Sequence, residues 1–283
     1  MKPSSPLPEK PLSEKIFIML GVVVPFVATL YAIVLLWEHY ISGLDLALLV
    51  TLYFLSGLGV TIGLHRMLTH RSFETYPLVK AIILICASMA GQSSPIYWAS
   101  AHIQHHAHSD EEGDPHSPLV SLWHAHIGWF FEHVAQYDVY GKWLWQDPVV
   151  VWIDRTWVFW MAFGLLMPFA IGGWSGLLWG GLVRMFLVHH VTWSVNSLCH
   201  TFGARPFDTR DASRNNWLVA LLSGGEGWHN NHHAFPRSAN HGLRWWEVDL
   251  SAYVIRVLEI VGLVWNVQRV RVQDELKRRN ASL

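Results

Sequence analysis

Charge is scarce in this chain. Asp, Glu, Lys and Arg make up 14% of its 283 residues, where soluble domains run near about 25%. The balance is nearly neutral at −1, which excludes a nucleic-acid-binding protein. A hydrophobic content of 52% and a mean hydropathy of +0.24 exclude a disordered chain. Cysteine is almost missing. Cys86 and Cys199 are the only two, too few for a disulfide framework or a thiolate zinc site. What is plentiful is histidine, with 18 residues, and tryptophan, with 17. Tryptophan collects where a membrane meets water. Nearly as many His as the 20 Lys plus Arg demands a chemical reason.

Residues 1–15 hold four Pro and three Lys without an apolar run, and are expected to form a flexible tail. Ile16–Trp37 is uncharged, and Leu44–Leu64 carries only Asp45 at its edge. Each gives roughly 30 Å of helix, enough to cross a bilayer core. The first is too long and apolar for a signal peptide and lacks a small-residue cleavage site. A second pair, Thr156–Ile171 and Trp174–Val195, flanks a Gly-Gly-Trp-Ser turn. Leu78–Gly91 is too short to span and Trp217–Leu222 is shorter still. Val254–Trp265 carries Arg256 and Glu259 on a helical period, as a helix lying in the interface does. The 37–43 and 172–175 turns contain no Lys or Arg. Nineteen of the twenty basic residues fall in the N-terminal tail, in 65–155 or after 200, and Arg184 is the exception. Positive charge stays cytoplasmic, so both termini and the large polar regions are expected there. The expected fold is all-α and integral to the membrane. Four transmembrane helices (16–37, 44–64, 156–171, 174–195) form two hairpins within one domain, 16–266, under a cytosolic helical cap, followed by a basic tail, 267–283.

The histidines fall into three boxes: His65 and His70; His102, His105 and His106; His229, His232 and His233. In the second and third, the spacing i, i+3, i+4 stacks three imidazoles on one helix face. In the first, five residues turn an ideal α-helix about 140° beyond a full revolution. His65 and His70 therefore either serve different metals or straddle the helix end. Imidazole suits Fe, Zn and Cu, and eight His exceed the needs of one ion, so a dinuclear site is the natural count. If Leu78–Gly91 crossed the membrane, the first two boxes would lie on opposite sides, so it is expected to lie at the interface. His39, His124, His126, His133 and His241 read as ordinary structural histidines, and the pair His189-His190 sits inside the fourth span.

Further blocks join the boxes: GLHRMLTHRSF over 63–73, DPH over 114–116, HAHIGW over 124–129, WSVNSLCHTFGARP over 193–206 and GEGWHNNHHAFP over 225–236. In this order they resemble the integral-membrane acyl desaturases that insert a Δ9 cis double bond, the stearoyl-CoA desaturases and their bacterial relatives, from about Tyr53 to Trp246. The resemblance implies two non-haem irons held by His65, His70, His102, His105, His106, His200, His229, His232 and His233, with Asn196 holding a water on one of them. It implies O₂ as co-substrate and a C16 or C18 saturated acyl substrate. Gln92, Trp98, Thr192 and Trp193 would line the bend of the substrate channel, and Tyr53 and Gly57 would close its far end. Metal-bound imidazoles need acceptors for their free N–H groups; Asp110, Glu111, Asp114 and Glu226 are candidates, Glu226 first because it lies three residues before His229, while Glu112 reads as solvated.

The sequence departs from the acyl-CoA members where they carry Arg-Asp and Arg-Lys pairs. Here those places are Ser100-Ala101 and Glu132-His133. Cationic contacts to CoA phosphates are weakened, so a glycerolipid-borne chain stands beside acyl-CoA as carrier, with Arg66, Arg71 and Arg155 available to a phosphate or headgroup. No haem-type segment follows the last box before Leu283, so electrons are expected from a separate carrier, ferredoxin-like or a reductase system, with the basic tail as one docking element. Two rival functions remain at this point. One is a membrane di-iron hydroxylase of alkyl chains or lipids; the other, of a different class, is a metal- or haem-binding membrane transporter.

Overall fold

The computed structural model describes residues 9–38, 41–271 and 274. Most of the two expected tails, and His39, lie outside them. Helix α1 (Leu12–Trp37) begins inside the segment expected to be flexible. The cause is Lys10, buried beside Tyr97 with its ammonium 2.5 Å from Glu14 Oε1 and over the Tyr97 ring, which holds the chain before the apolar run starts.

Helix α2 (Gly43–Leu58) opens on a reciprocal cap, with Ser42 and Asp45 each accepting from the other's backbone N–H. It runs without a break into a π-helical segment, Gly59–Thr69. This segment crosses α3 (Pro77–Ser88) closely: a Cβ at Gly59 would lie 2.3 Å from Ala87 N, so only glycine fits. A two-residue strand β1 (Glu74–Thr75) pairs antiparallel with β2 (Val264–Trp265) and ties the C-terminal part to the π-helical segment's exit. Helix α4 (Pro95–His108) starts at a Ser94 cap with proline in its first turn, and a single turn, α5 (Trp129–Glu132), follows.

Helix α6 (Pro148–Gly176) starts earlier than Thr156, because Asp147 caps Val149 and Val150 and Pro148 opens the first turn. It is interrupted at Gly173, whose φ of 61° and ψ of −147° reverse the chain. A π-helical segment, Leu177–Val183, and α7 (Arg184–Leu198) return alongside, with Gly176 and Gly180 packed against Pro168. Three shorter helices complete the order: α8 (Trp217–Leu222), α9 (His229–Ala234) and α10 (Leu250–Ile260).

Among the described residues three stretches are long and apolar enough to cross a membrane: 12–36, 43–69 and 148–198, the last containing the Gly173 reversal. Their outward faces expose Leu20, Val27, Leu30, Phe159 and Leu166. Helix α3, at 12 residues, is too short. Helix α10 is amphipathic: Ala252 and Ile255 are buried, Tyr253, Val257 and Ile260 are exposed, and Arg256 pairs with Glu259 at 2.6 Å.

Arg184, the one basic residue inside the expected fourth span, is fully buried. No carboxylate meets it among the described residues. Its guanidinium instead donates to Met89 O (2.6 Å), Gly164 O (2.9 Å) and Gly180 O (3.2 Å), and lies 3.5 Å from Ser56 Oγ. One side chain thereby joins α2, the end of α3 and both arms of the hairpin.

Candidate metal centre

The boxes converge from four places in the chain. His65 and His70 come from the π-helical segment and its end, His102, His105 and His106 from α4, His200 from just beyond α7, and His229, His232 and His233 from α9. Their nitrogens sort into two groups, each within 4.8 Å: His65, His70, His102, His106 and His232; then His105, His200, His229 and His233.

The first pair joins a single group for a local reason. In a π-helix the hydrogen bond runs from i to i+5, and His70 N donates to His65 O at 3.1 Å. Thr69 Oγ1 donates to Leu64 O, the same offset. Residues five apart therefore stand on one face, and the rings of His65 and His70 are 4.7 Å apart. The 140° separation expected of an α-helix does not apply: His70 stands at the end of the segment, and both rings fall in the same nitrogen group.

Within the five-histidine group, Nε2 atoms face one another: His65 and His232 at 3.2 Å, His232 and His106 at 3.0 Å, His106 and His102 at 3.2 Å. In the second group His229 Nε2 lies 3.1 Å from His200 Nε2 and 3.0 Å from His233 Nε2. The opposite nitrogens meet carboxylates. His65 Nδ1 is 2.5 Å from Glu226 Oε2, His105 Nδ1 2.9 Å from Asp114, His200 Nδ1 2.8 Å from Asp110 and His233 Nδ1 2.8 Å from Asp211.

This arrangement fits a metal ion. A neutral imidazole has one N–H, and giving it to a carboxylate at Nδ1 leaves Nε2 a bare lone pair. His200 and His233 both present such lone pairs to His229, whose single proton answers only one of them. Lone pairs about 3 Å apart repel unless a cation lies between them. His70 Nε2 and His105 Nε2 are also buried without a protein partner. Burial holds His102, His106, His229, His232 and His233 well below the usual imidazole range, in the neutral form that ligates. Burial pushes His105 down as well, but Asp114 outweighs it and the net shift is upward. Burial raises Asp114, Asp211 and Glu226, yet the adjoining histidines, with Arg66 beside Glu226, bring all three below the usual carboxylate range.

Asp110, Asp114 and Glu226 each touch one of the nine histidines. Glu226, however, turns to His65 and not to its sequence neighbour His229, and Glu111 is exposed with Glu112. Several contributors escaped the sequence reading. Asp211 sits in a loop and meets His233 only through the fold. His241, read as an ordinary histidine, lies 4.4 Å ring to ring from His232 and 3.2 Å from Glu226. His116 lies 4.2 Å ring to ring from His105. Asn230 and Asn231, between the histidines of α9, bond Phe207 and Glu247 and so fix that short helix. Arg66 is no headgroup contact: it is fully buried, joining Glu226 (3.1 Å), Asp249 (3.0 Å) and Ala239 O. Arg71 and Arg155 are exposed.

A narrow apolar cavity opens onto the histidines. Tyr53, Gly57, Gln92, Trp98, Thr192 and Trp193 all line it, with His65, His102, Asn196 and His229. Gln92 Nε2 donates to Thr192 Oγ1 at 2.9 Å, and the Trp98 ring stacks 5.0 Å from His102. Tyr53 Oη donates to Leu222 O at 2.7 Å and so joins α2 to α8 at the wall of the cavity. Of the remaining histidines, His126 bridges Ser197 and His190, His189 meets Ala90 O, and His124 meets Pro115 O.

Long apolar helices, two polyhistidine groups able to hold metal and an apolar cavity beside them define a metal-dependent enzyme class that works on hydrocarbon chains. The chain belongs to the fatty acid desaturase family, which it matches over residues 43–258, and is an oxidoreductase. It is 42% identical over 281 residues to the hex-5-enoyl-[acyl-carrier protein] acetylenase of Moorena producens (strain JHB), covering 92% of this chain and 87% of that protein. It is 46% identical over 222 residues to the sn-1 stearoyl-lipid 9-desaturase of Anabaena variabilis (77% and 81%). It is 39% identical over 238 residues to the acyl-CoA C20 Delta5-desaturase of Anemone leveillei (82% and 75%). The three names carry three different acyl carriers.

Proposed function

We propose that this protein is an O₂-dependent acyl-lipid desaturase that introduces a cis Δ9 double bond into a C16 or C18 saturated chain. The observation that supports the reading best is the pair of imidazole groups, backed by carboxylates, at the wall of an apolar cavity. His65, His70, His102, His106 and His232 would hold one iron, and His105, His200, His229 and His233 the second, with Asn196 placing a water. Bound iron supplies the O₂-derived oxidant that removes hydrogen from an unactivated methylene pair.

The chain's own residues do the positioning. Trp98, Gln92 and Thr192 shape the bend beside His65 and His102, and the Tyr53–Leu222 contact closes the far end. Regiochemistry is a matter of where the chain is held. The apolar lining excludes water, and Glu226, Asp114, Asp110 and Asp211 keep the ligating rings in one tautomer. Neither Ser100-Ala101, which is buried, nor Glu132, which is exposed, offers a cation to CoA phosphates, and the similarity to a stearoyl-lipid 9-desaturase points the same way. Under this reading the Gly173 reversal makes four spans in two hairpins, with both termini and the histidine groups cytosolic. A separate redox protein, ferredoxin-like or a reductase system, delivers the electrons.

The test is expression in a strain lacking unsaturated fatty acids, with mapping of any double bond. A Δ9 alkene is expected, with about two irons per chain, no haem absorbance and loss of product in His105→Ala. An alcohol in place of an alkene makes the protein a hydroxylase, and haem or exchangeable zinc makes it a transporter.

A further inference from the structure

We propose that the groove between α1 and the α6–α7 hairpin holds the second, unreacting acyl chain of a two-chain glycerolipid, while the reacting chain occupies the cavity beside the histidines. The proposal rests on the desaturase reading and names its substrate class. The groove holds about 470 Å³. Phe17, Gly21 and Val24 of α1 form one wall, and Met161, Leu165 and Met185 of the hairpin form the other.

Two observations give it this occupant. First, it adjoins the histidine-side cavity: Gln92, Phe130 and Trp193 line both. Any molecule with one chain in each cavity must branch at these three residues. Second, the groove changes character along its length. Its long walls are apolar, but Lys10, Glu14, Ser93 and Ser94 line it too. Lys10 is tied to Glu14 and lies 3.2 Å from Tyr97 Oη, and Tyr97 in turn donates to His133 O at 3.1 Å. A polar rim near the branch and apolar walls beyond it match a glycerol backbone with a hydrocarbon tail. On the outer side Leu20 and Val24 of α1 are exposed, so a tail could enter sideways from lipid. An acyl-CoA or an acyl-carrier protein brings one chain and would leave the groove to bystander lipid.

Gly21 tests this without touching the histidines or the first cavity. A Cβ there meets nothing within 4 Å, so Gly21→Leu adds bulk at the groove wall from an uncrowded position; Val24→Trp is the second filling variant. Membranes containing wild type or variant receive labelled dipalmitoyl-phosphatidylglycerol or stearoyl-CoA with the same donor supply. The expected result is about a tenfold loss of kcat/KM on the two-chain lipid, the effect of losing burial of about two methylenes. Conversion of stearoyl-CoA should stay within about twofold. A diazirine on the lipid's unreacting chain should label residues 17–25 or 157–165 in the wild type, and this arm decides if the wild type accepts lipid only. Equal losses on both substrates, no loss on either, or labelling elsewhere overturns the proposal. Conversion of stearoyl-CoA alone by wild type also overturns it, together with the lipid carrier, while leaving the desaturase activity intact, whereas a wild type that desaturates neither substrate removes that activity itself.

Discussion

Asp211→Asn is the sharpest test of how the histidine groups are held. Asp211 Oδ2 accepts the His233 Nδ1 proton at 2.8 Å, while Oδ1 takes Thr209 Oγ1 at 2.9 Å and Ser213 N at 3.0 Å. Asparagine has the same shape. If its oxygen keeps Thr209 and Ser213, its amide NH₂ faces the His233 N–H, donor against donor. His233 must then carry its proton on Nε2, the nitrogen that faces His229 at 3.0 Å, and the second group loses one of its four lone pairs. A hydrogen bond to a charged acceptor contributes about 1.5–3 kcal/mol. Losing the partner of a metal-bound imidazole weakens metal binding about 10–100-fold, or about 1.4–2.8 kcal/mol. The two routes agree. Because Asp211 touches only the four-histidine group, the loss should be confined to half of the iron. Chelator titration of purified enzyme, followed by the absorbance of released iron, should give two phases, the weaker one moved 10–100-fold. A uniform shift of all the iron, or none, would refute the reasoning.

On the proposed tunnel-end role of Tyr53, which lines the cavity, Tyr53→Ala should lengthen the preferred acyl chain; Tyr53→Phe keeps the bulk but removes the 2.7 Å bond to Leu222 O and should broaden the length range without moving its maximum. Product profiles on mixed chain lengths decide both, and an unchanged Tyr53→Ala profile counts against the tunnel-end role. The metal-free protein should lose stability as pH falls below about 6.5. Unfolded imidazoles titrate near 6.5, whereas burial depresses His102, His106, His229, His232 and His233. In that window the unfolded chain binds more protons, so stability rises with pH. His105, raised by Asp114, works in the opposite sense, one group against five. Denaturation midpoints of the apoprotein that stay level from pH 7 to pH 5 would contradict this.

Legibility in the sequence followed the range of the interactions. The i, i+3, i+4 triplets of α4 and α9 were readable because an α-helix alone brings them together. The turn at Gly173 was readable from its Gly-Gly-Trp-Ser composition. His65 and His70 were readable in part: His70 does stand at the helix end, one of the two alternatives, but nothing in residue type distinguishes a π-helical turn from an α-helical one, and the close pass of Gly59 against Ala87 belongs to packing. Asp211, His116 and His241 reach the histidines from loops, and no local pattern encodes that approach. The early start of α6 is different. Asp147-Pro148 is a local cap signal, and Asp154 and Arg155 merely interrupt the apolar run of a helix that has already started.

Arg184 makes the assembly of the fold conditional. A guanidinium entering a bilayer core on a lone helix costs about 2.5–3.5 kcal/mol or more, and this one is satisfied by carbonyls of Met89, Gly164 and Gly180. Gly180 lies in its own arm, but Gly164 requires the hairpin to be closed and Met89 requires the end of α3 to be docked. The second half of the protein therefore has no comfortable resting state by itself, and becomes stable in lipid only by recognising the first. The residue that breaks the charge pattern of the sequence thus ties closure of the hairpin to docking of the end of α3.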